Sequence, residues 1–142
     1  MSTLERAIEI AASAHAGQVD KAGQPYILHP LRVMLRVSTE HERMAAVLHD
    51  VVEDTPVTLE QLTSEGFPPS VVAAVEALTK RTGETRLEAA RRAAMNTIAR
   101  SVKLADNAEN MDLSRIANPN EKDYARLEEY KAVRALLLHA RE

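Results

Sequence analysis

The chain has no cysteine, which excludes disulfides, thiol catalysis and thiolate-bound zinc. Tryptophan is also absent, with one phenylalanine and three tyrosines present, so any core must be built from Leu, Ala, Val and Ile. Only 4 of the 142 residues are glycine. Ala, Leu, Glu and Arg dominate instead, a mix that favours helix over sheet. No apolar run approaches the ~20 residues of a membrane-spanning helix, and the first six residues lack the apolar segment of a signal peptide. The expectation is a cytoplasmic protein with no membrane partner. Positive charge is not in excess: 18 Lys and Arg face 21 Asp and Glu, a net charge of −3 with the signs interspersed, which argues against a nucleic-acid partner. Strand alternation, repeats, low-complexity tracts and linkers are missing as well. What remains is one all-α domain over residues 1–142, with 45% hydrophobic residues to fill a helical bundle.

The helices can be read from apolar periodicity and punctuation. Leu4, Ile8, Ala11, Ala12 and His15 follow a helical period, with Ser2 or Thr3 as N-cap and Gly17 as stop. Residues 17–30 read as an ordered loop, after which Pro30 suits the first position of a helix over 31–37. A helix from about Glu40 runs unbroken to Asp54, where Thr55-Pro56 ends it. Further helices are expected at 58–64, from Ser70 until Thr82-Gly83 breaks the pattern, and at 85–94, 97–108 and 121–140. The last carries Tyr124, Leu127, Val133 and Leu137 on its core stripe.

The most informative residues are His49-Asp50-Val51-Val52-Glu53-Asp54. On a continuous helix His49 sits above Glu53 and Asp50 above Asp54, so one face gathers an imidazole and three carboxylates. The bland alternative is a solvated acidic helix end. Against it, Met44-Ala45-Ala46-Val47-Leu48 just before is strongly apolar, and buried charges need partners. Carboxylates so close repel unless a cation sits among them. An imidazole among them suits a divalent metal such as manganese, iron or zinc, leaving spare acids to activate water.

Three other places could join this site. Asp106 and Asn110 share a helix face, one turn after Lys103, among the apolar Val102, Leu104 and Ala105. A carboxylate there could close a coordination shell, Asn110 could bond a water or ribose, and Lys103 could neutralise phosphate. The bland reading is an ordinary amphipathic helix. His29 before Pro30 is either a helix N-cap or a metal ligand held by the stiff Tyr26–Pro30 segment. Lys21 is either solvated or set to meet a substrate phosphate. His15, His41 and His139 lack such company and read as core or surface residues.

Taken in order, His15-Ala-Gly-Gln-Val-Asp-Lys-Ala-Gly-Gln-Pro-Tyr-Ile-Leu-His29-Pro30, His49-Asp50-x-x-Glu53-Asp54 and Lys103-Leu-Ala-Asp106-x-x-x-Asn110-Met111 resemble the hydrolase domain of RelA/SpoT-type alarmone enzymes. These enzymes lie within the HD-domain phosphohydrolase superfamily, and the chain looks like a stand-alone small alarmone hydrolase. The resemblance implies an HD-type helical bundle with one buried metal site, usually manganese, ligated by His29, His49, Asp50 and Asp106. It implies that Glu53 and Asp54 position and deprotonate the attacking water, with Asn110, Arg126 and Tyr130 near the nucleotide. The implied reaction removes the 3′-diphosphate of a guanosine alarmone, or of an adenosine relative, as pyrophosphate.

The chain departs from that pattern at Asp20, where the long enzymes usually carry an arginine against the base. It departs again in residues 83–90, where Arg86 and Ala89 stand in a segment that often holds Tyr and Phe. The first change leaves the base open, and the second implies a more open wall on that side of the pocket. They also keep two other readings in play: another phosphohydrolase of the superfamily, such as an NADPH 2′-phosphatase or a nucleotidase, and a non-catalytic metal- or nucleotide-binding module. Oligomeric state is not legible from the sequence.

Overall fold

Polar side chains cap the starts of most helices of this chain. Thr39 with Glu42, Thr58 with Gln61, Thr85 with Glu88 and Asn120 with Asp123 form capping boxes, and Thr3 and Asn96 accept from the amides of Arg6 and Ala99. The computed structural model describes residues 1–114 and 116–140; positions 115, 141 and 142 of the expected domain lie outside the described residues. Among the described residues there are nine helices: α1 Leu4–Ala14, α2 Leu28–Arg36, α3 Glu40–Leu48, α4 Val51–Asp54, α5 Leu59–Ser64, α6 Pro69–Leu78, α7 Arg86–Ala94, α8 Thr97–Asn110 and α9 Glu121–His139. The sole extended pairing among them is an isolated bridge between Val19 and Pro25, which pinches the 17–27 loop. The all-α expectation therefore holds.

The run Met44–Leu48 is buried on every side, as a helix apolar all round must be. α3 is accordingly the centre of the bundle, packed by α1, α2, α6 and α8. Its neighbours contribute Ala7, Val33, Val71, Val75 and Val102 to one large apolar cluster, while the lone phenylalanine, Phe67, closes the end near α5. A second, smaller cluster of Ala90, Ala94, Val133 and Leu137 joins α7 to α9. α8 serves both: Val102 and Ala105 face the large cluster and Leu104 the small one. Groups on the remaining face of α8 thus open into the seam between the two clusters.

Several expectations change. The helix over 40–54 is not continuous: α3 ends at Leu48, and Asp50, at φ −103° and ψ −3°, begins the separate short α4. These angles lie near the sparsely populated bridge region, where many active-site residues sit. Pro30 is the third residue of α2 rather than the first, which costs little because first-turn amides have no intrahelical partner. His29 is therefore inside the helix, not its cap. Tyr124 is 54% exposed, outside the core stripe kept by Val133 and Leu137, and Ala12 is exposed. No helix among the described residues is long and apolar enough to cross a membrane.

Candidate metal centre and the cavities beside it

Three elements far apart in sequence converge at the seam. α2 carries His29, the end of α3 carries His49 and α8 carries Asp106, all three buried. Ligand atoms of the three lie within 4.8 Å of one another. His29 Nε2 is 2.8 Å from Asp106 Oδ1, and His49 Nε2 is 3.4 Å from that oxygen and 3.1 Å from Asp50 Oδ2.

The other nitrogen of His49 settles how its ring presents itself. Nδ1 lies 2.5 Å from the carbonyl oxygen of Ala46. A carbonyl only accepts, so Nδ1 bears a proton and Nε2 turns toward the acids. Despite its proximity to both carboxylates, the buried Nε2 has no hydrogen-bond partner of adequate geometry. Buried polar atoms are rarely left in this state. The local field favours positive charge at this point. Burial lowers the pKa of His49, but Asp50 and Asp106 outweigh it and push the value well above the ordinary one. Asp106 goes the other way: burial opposes ionisation, yet Lys103, His29 and His49 hold its carboxyl well below the usual range.

A second acidic group, Asp50, Glu53 and Asp54, lines the opening of the seam with carboxylate oxygens within 4.8 Å of one another. The break at 49–50 thus divides the single stripe expected from the sequence: His49 joins His29 and Asp106 in a buried trio, while Asp50, Glu53 and Asp54 form a rim trio. The Tyr26 hydroxyl donates to Asp50 Oδ2. Glu53 Oε1 accepts from the amide of Lys80 at 2.7 Å, which fixes its direction. Partial burial, then the charges of Asp50 and Glu53, raise the pKa of Asp54.

Two cavities meet at this acidic wall. One, of about 460 Å³, is lined by Lys21, Tyr26, Asn110, Arg126 and Tyr130 together with apolar groups such as Leu113 and Ile116. The other, of about 270 Å³, has Lys80, Arg86 and Lys103 in its lining. Asp50, Glu53, Asp106, Asn110 and Tyr130 border both. Lys103 Nζ is 3.3 Å from Asp106 Oδ2. Burial would discharge it, but Asp106 outweighs burial and keeps it a cation. Asn110 Nδ2 approaches Asp106 Oδ1 at 3.3 Å. Lys21 stands at the mouth of the larger cavity, 3.6 Å from Asp123.

Every residue to which the sequence assigned a metal, catalytic or substrate role lines one of the two cavities. The sequence reading missed Lys80 and the contact of Tyr26 with Asp50. It also took Arg86 as part of an opened wall, whereas its guanidinium lies 4.9 Å over the Tyr130 ring. Asp20 acts locally. Its Oδ1 accepts from the amides of Ala22 and Gln24 at 2.9 and 3.0 Å, and its own amide donates to Gln24 O. It staples the 20–24 turn, in which Gly23 takes a positive φ of 80°.

The HD domain family model matches residues 7–140. The chain belongs to the HD domain family. Within the family, a probable GTP pyrophosphokinase of Mycobacterium leprae is 36% identical over 98% of this chain and 19% of its own length. A guanosine-3′,5′-bis(diphosphate) 3′-pyrophosphohydrolase of Haemophilus influenzae is 48% identical over 50% of this chain and 11% of its own. The bifunctional (p)ppGpp synthase/hydrolase SpoT of Escherichia coli K12 is 41% identical over 54% and 11%. The chain thus spans between about a tenth and a fifth of the curated relatives it matches. Among solved structures, a metazoan ortholog of SpoT, described as hydrolysing ppGpp, superimposes with a TM-score of 0.78 at 25% identity, over 97% of this HD domain chain and 86% of its own.

Proposed function

We propose that this HD-domain chain is a metal-dependent hydrolase that removes the 3′-diphosphate of a guanosine or adenosine alarmone. The observation that carries the metal reading is the buried His49 Nε2, which faces two carboxylates without a hydrogen-bond partner. His29, His49, Asp50 and Asp106 would hold the ion, and their borderline nitrogens and hard oxygens suit Mn²⁺, with Fe²⁺ and Zn²⁺ as alternatives. When bound, such an ion lowers the pKa of water and polarises a phosphoryl oxygen.

The protein's own groups supply the rest. Glu53, oriented by the Lys80 amide, and Asp54 stand on the wall shared with the cavities, where either can take a proton from the attacking water. The water oxygen bonds to the phosphorus next to the nucleoside 3′-oxygen. The bond from that phosphorus to the 3′-oxygen breaks, and the oxygen receives a proton. Pyrophosphate and a nucleotide with a free 3′-hydroxyl result. Lys103, held charged, offsets the phosphate charge, with Lys80 and Arg86 beside it. The larger cavity suits the nucleoside and its 5′-phosphates, with Asn110 and Tyr130 toward the ribose and Lys21 and Arg126 toward phosphate. The substrate class is drawn from the relatives' activities, and a nucleotide substrate suits a cytoplasmic setting. With a net charge of −3, no nucleic-acid partner is proposed.

One observation favours a second reading. Asp20, whose Oδ1 accepts from two loop amides, stands where the long enzymes carry an arginine against the base, so a different phosphorylated nucleotide, with NADPH as the first candidate, is the alternative substrate. The test is a product assay. Purified protein with added Mn²⁺ is given ppGpp, ppApp and NADPH in parallel, and pyrophosphate and orthophosphate are measured separately. Pyrophosphate from ppGpp or ppApp is expected. Orthophosphate from NADPH alone would move the chain to the second reading. Tight nucleotide binding with no product from wild type or Glu53→Gln would make it a binding module.

A further inference from the structure

One turn beyond the His29–Asp106 pair, the same two helices carry a second polar rung. Glu109 on α8 is buried, 5% exposed. Its Oε1 accepts from Arg32 Nε at 2.8 Å and its Oε2 from Arg36 Nε at 2.6 Å, both on α2. Arg32 follows His29 by three residues and Glu109 follows Asp106 by three, so the two rungs bridge the same pair of helix faces. Burial pushes the Glu109 carboxyl up, but the hydrogen bonds and charges of Arg36 and Arg32 outweigh it, and its pKa lies below the ordinary value.

Only the carboxylate is deeply buried: the Arg32 and Arg36 side chains stay 29% and 46% exposed, and Arg32 Nη2 is buried without a hydrogen-bond partner. Desolvation of Glu109 offsets much of the attraction, so the network adds little net stability over apolar residues of similar volume. What it adds is direction. Val33, Val102 and Ala105 in the neighbouring cluster attract without specifying register, whereas guanidinium and carboxylate satisfy one another in few placements. A slide of one residue along a helix is a rise of about 1.5 Å. Metal ligation tolerates only about 0.2 Å of error in its bonds.

We infer that Glu109, gripped by Arg32 and Arg36, is a positioning residue that sets the register of α2 on α8 and so the spacing of His29 and Asp106 for a divalent metal ion. The inference rests on the metal reading above. Its test is Mn²⁺ affinity by chelator competition, with metal-free melting in parallel, for wild type, Glu109→Gln and the apolar triple variant R32M/R36M/E109M. Glu109→Gln should bind Mn²⁺ about 10-fold more weakly or worse, and saturating Mn²⁺ should return its kcat to near the wild-type value. The triple variant should melt close to wild type yet keep the weak affinity, a split that a merely stabilising ion network would not produce. Wild-type affinity in either folded variant overturns the inference and leaves the metal reading standing. Wild-type protein that takes up no Mn²⁺ removes both.

Discussion

The buried trio of His29, His49 and Asp106 and the rim trio of Asp50, Glu53 and Asp54 are built from similar groups but balanced differently. Inside the seam Asp106 has His29, Lys103 and Asn110 around it. At the rim, partial burial and then the negative charges of Asp50 and Glu53 act on Asp54. Two like charges about 4 Å apart cost about 1 kcal/mol where water surrounds them, but about 4 kcal/mol at the effective permittivity of about 20 that describes sites within a protein. Uncompensated acids are therefore tolerable at the rim and not in the seam. The buried trio is suited to holding a cation in fixed geometry. The rim trio keeps carboxylates that meet water and exchange protons with it.

The largest effect should come from the buried trio. In wild type, Mn²⁺ at a hundred times its Kd should add about 2.7 kcal/mol, or roughly 5–10 °C of melting temperature in a chain of this size. Asp106→Asn should abolish that rise and reduce pyrophosphate release to background. Calorimetry with and without Mn²⁺ checks it, and a full rise in the variant would break the distinction between the trios. Next is the rim. Glu53→Gln should lower kcat by about 10²–10⁴ while keeping the whole Mn²⁺-induced rise. If rise and turnover vanish together, Glu53 belongs with the ligands. Between the two trios stands Asp50, tied by the Tyr26 hydroxyl. Tyr26→Phe should weaken Mn²⁺ binding by about tenfold, read by chelator competition, and unchanged affinity would show that Asp50 needs no such tie.

Much of this comparison was legible in the sequence, for physical reasons that can be named. Capping residues such as Thr58 and Thr85 declare their helices locally, and the apolar run 44–48 declares the central one. The clustering of His29, His49 and Asp106 came from the order of three motifs, since no local rule brings together residues 77 positions apart. The break at Asp50 was not legible. Helical periodicity continues smoothly through 49–54, while the contacts at the break are a side-chain bond of His49 back to the Ala46 carbonyl and, from another part of the chain, the Tyr26 hydroxyl on Asp50. Glu109 was missed for a similar reason. An acid on an amphipathic helix reads as solvated until Arg32 and Arg36 on another helix are seen to enclose it. Tyr124 erred in the opposite sense, its periodicity placing it in a core that the small α7–α9 cluster does not extend far enough to provide.

The smallest effect tests the rim's electrostatics directly. The pKa of Asp54 is raised by partial burial and by Asp50 and Glu53. In the window just above the ordinary aspartate value of about 3.9, the folded chain therefore binds more protons than the unfolded one, and stability falls as pH rises through that window. Above it, ionised Asp54 is a standing penalty that an uncharged residue would not carry. In metal-free protein, Asp54→Asn should raise the melting temperature at pH 7. The gain should be only on the order of 1–2 °C, since the side chain meets water. It should shrink toward zero as the pH falls and wild-type Asp54 takes up its own proton. A gain that is constant with pH would mean that packing, not charge, separates the two side chains. Added Mn²⁺ sharpens the test, because a nearby cation turns the carboxylate's repulsive surroundings attractive. The same substitution should then lose its advantage in the loaded protein while keeping it in the metal-free one.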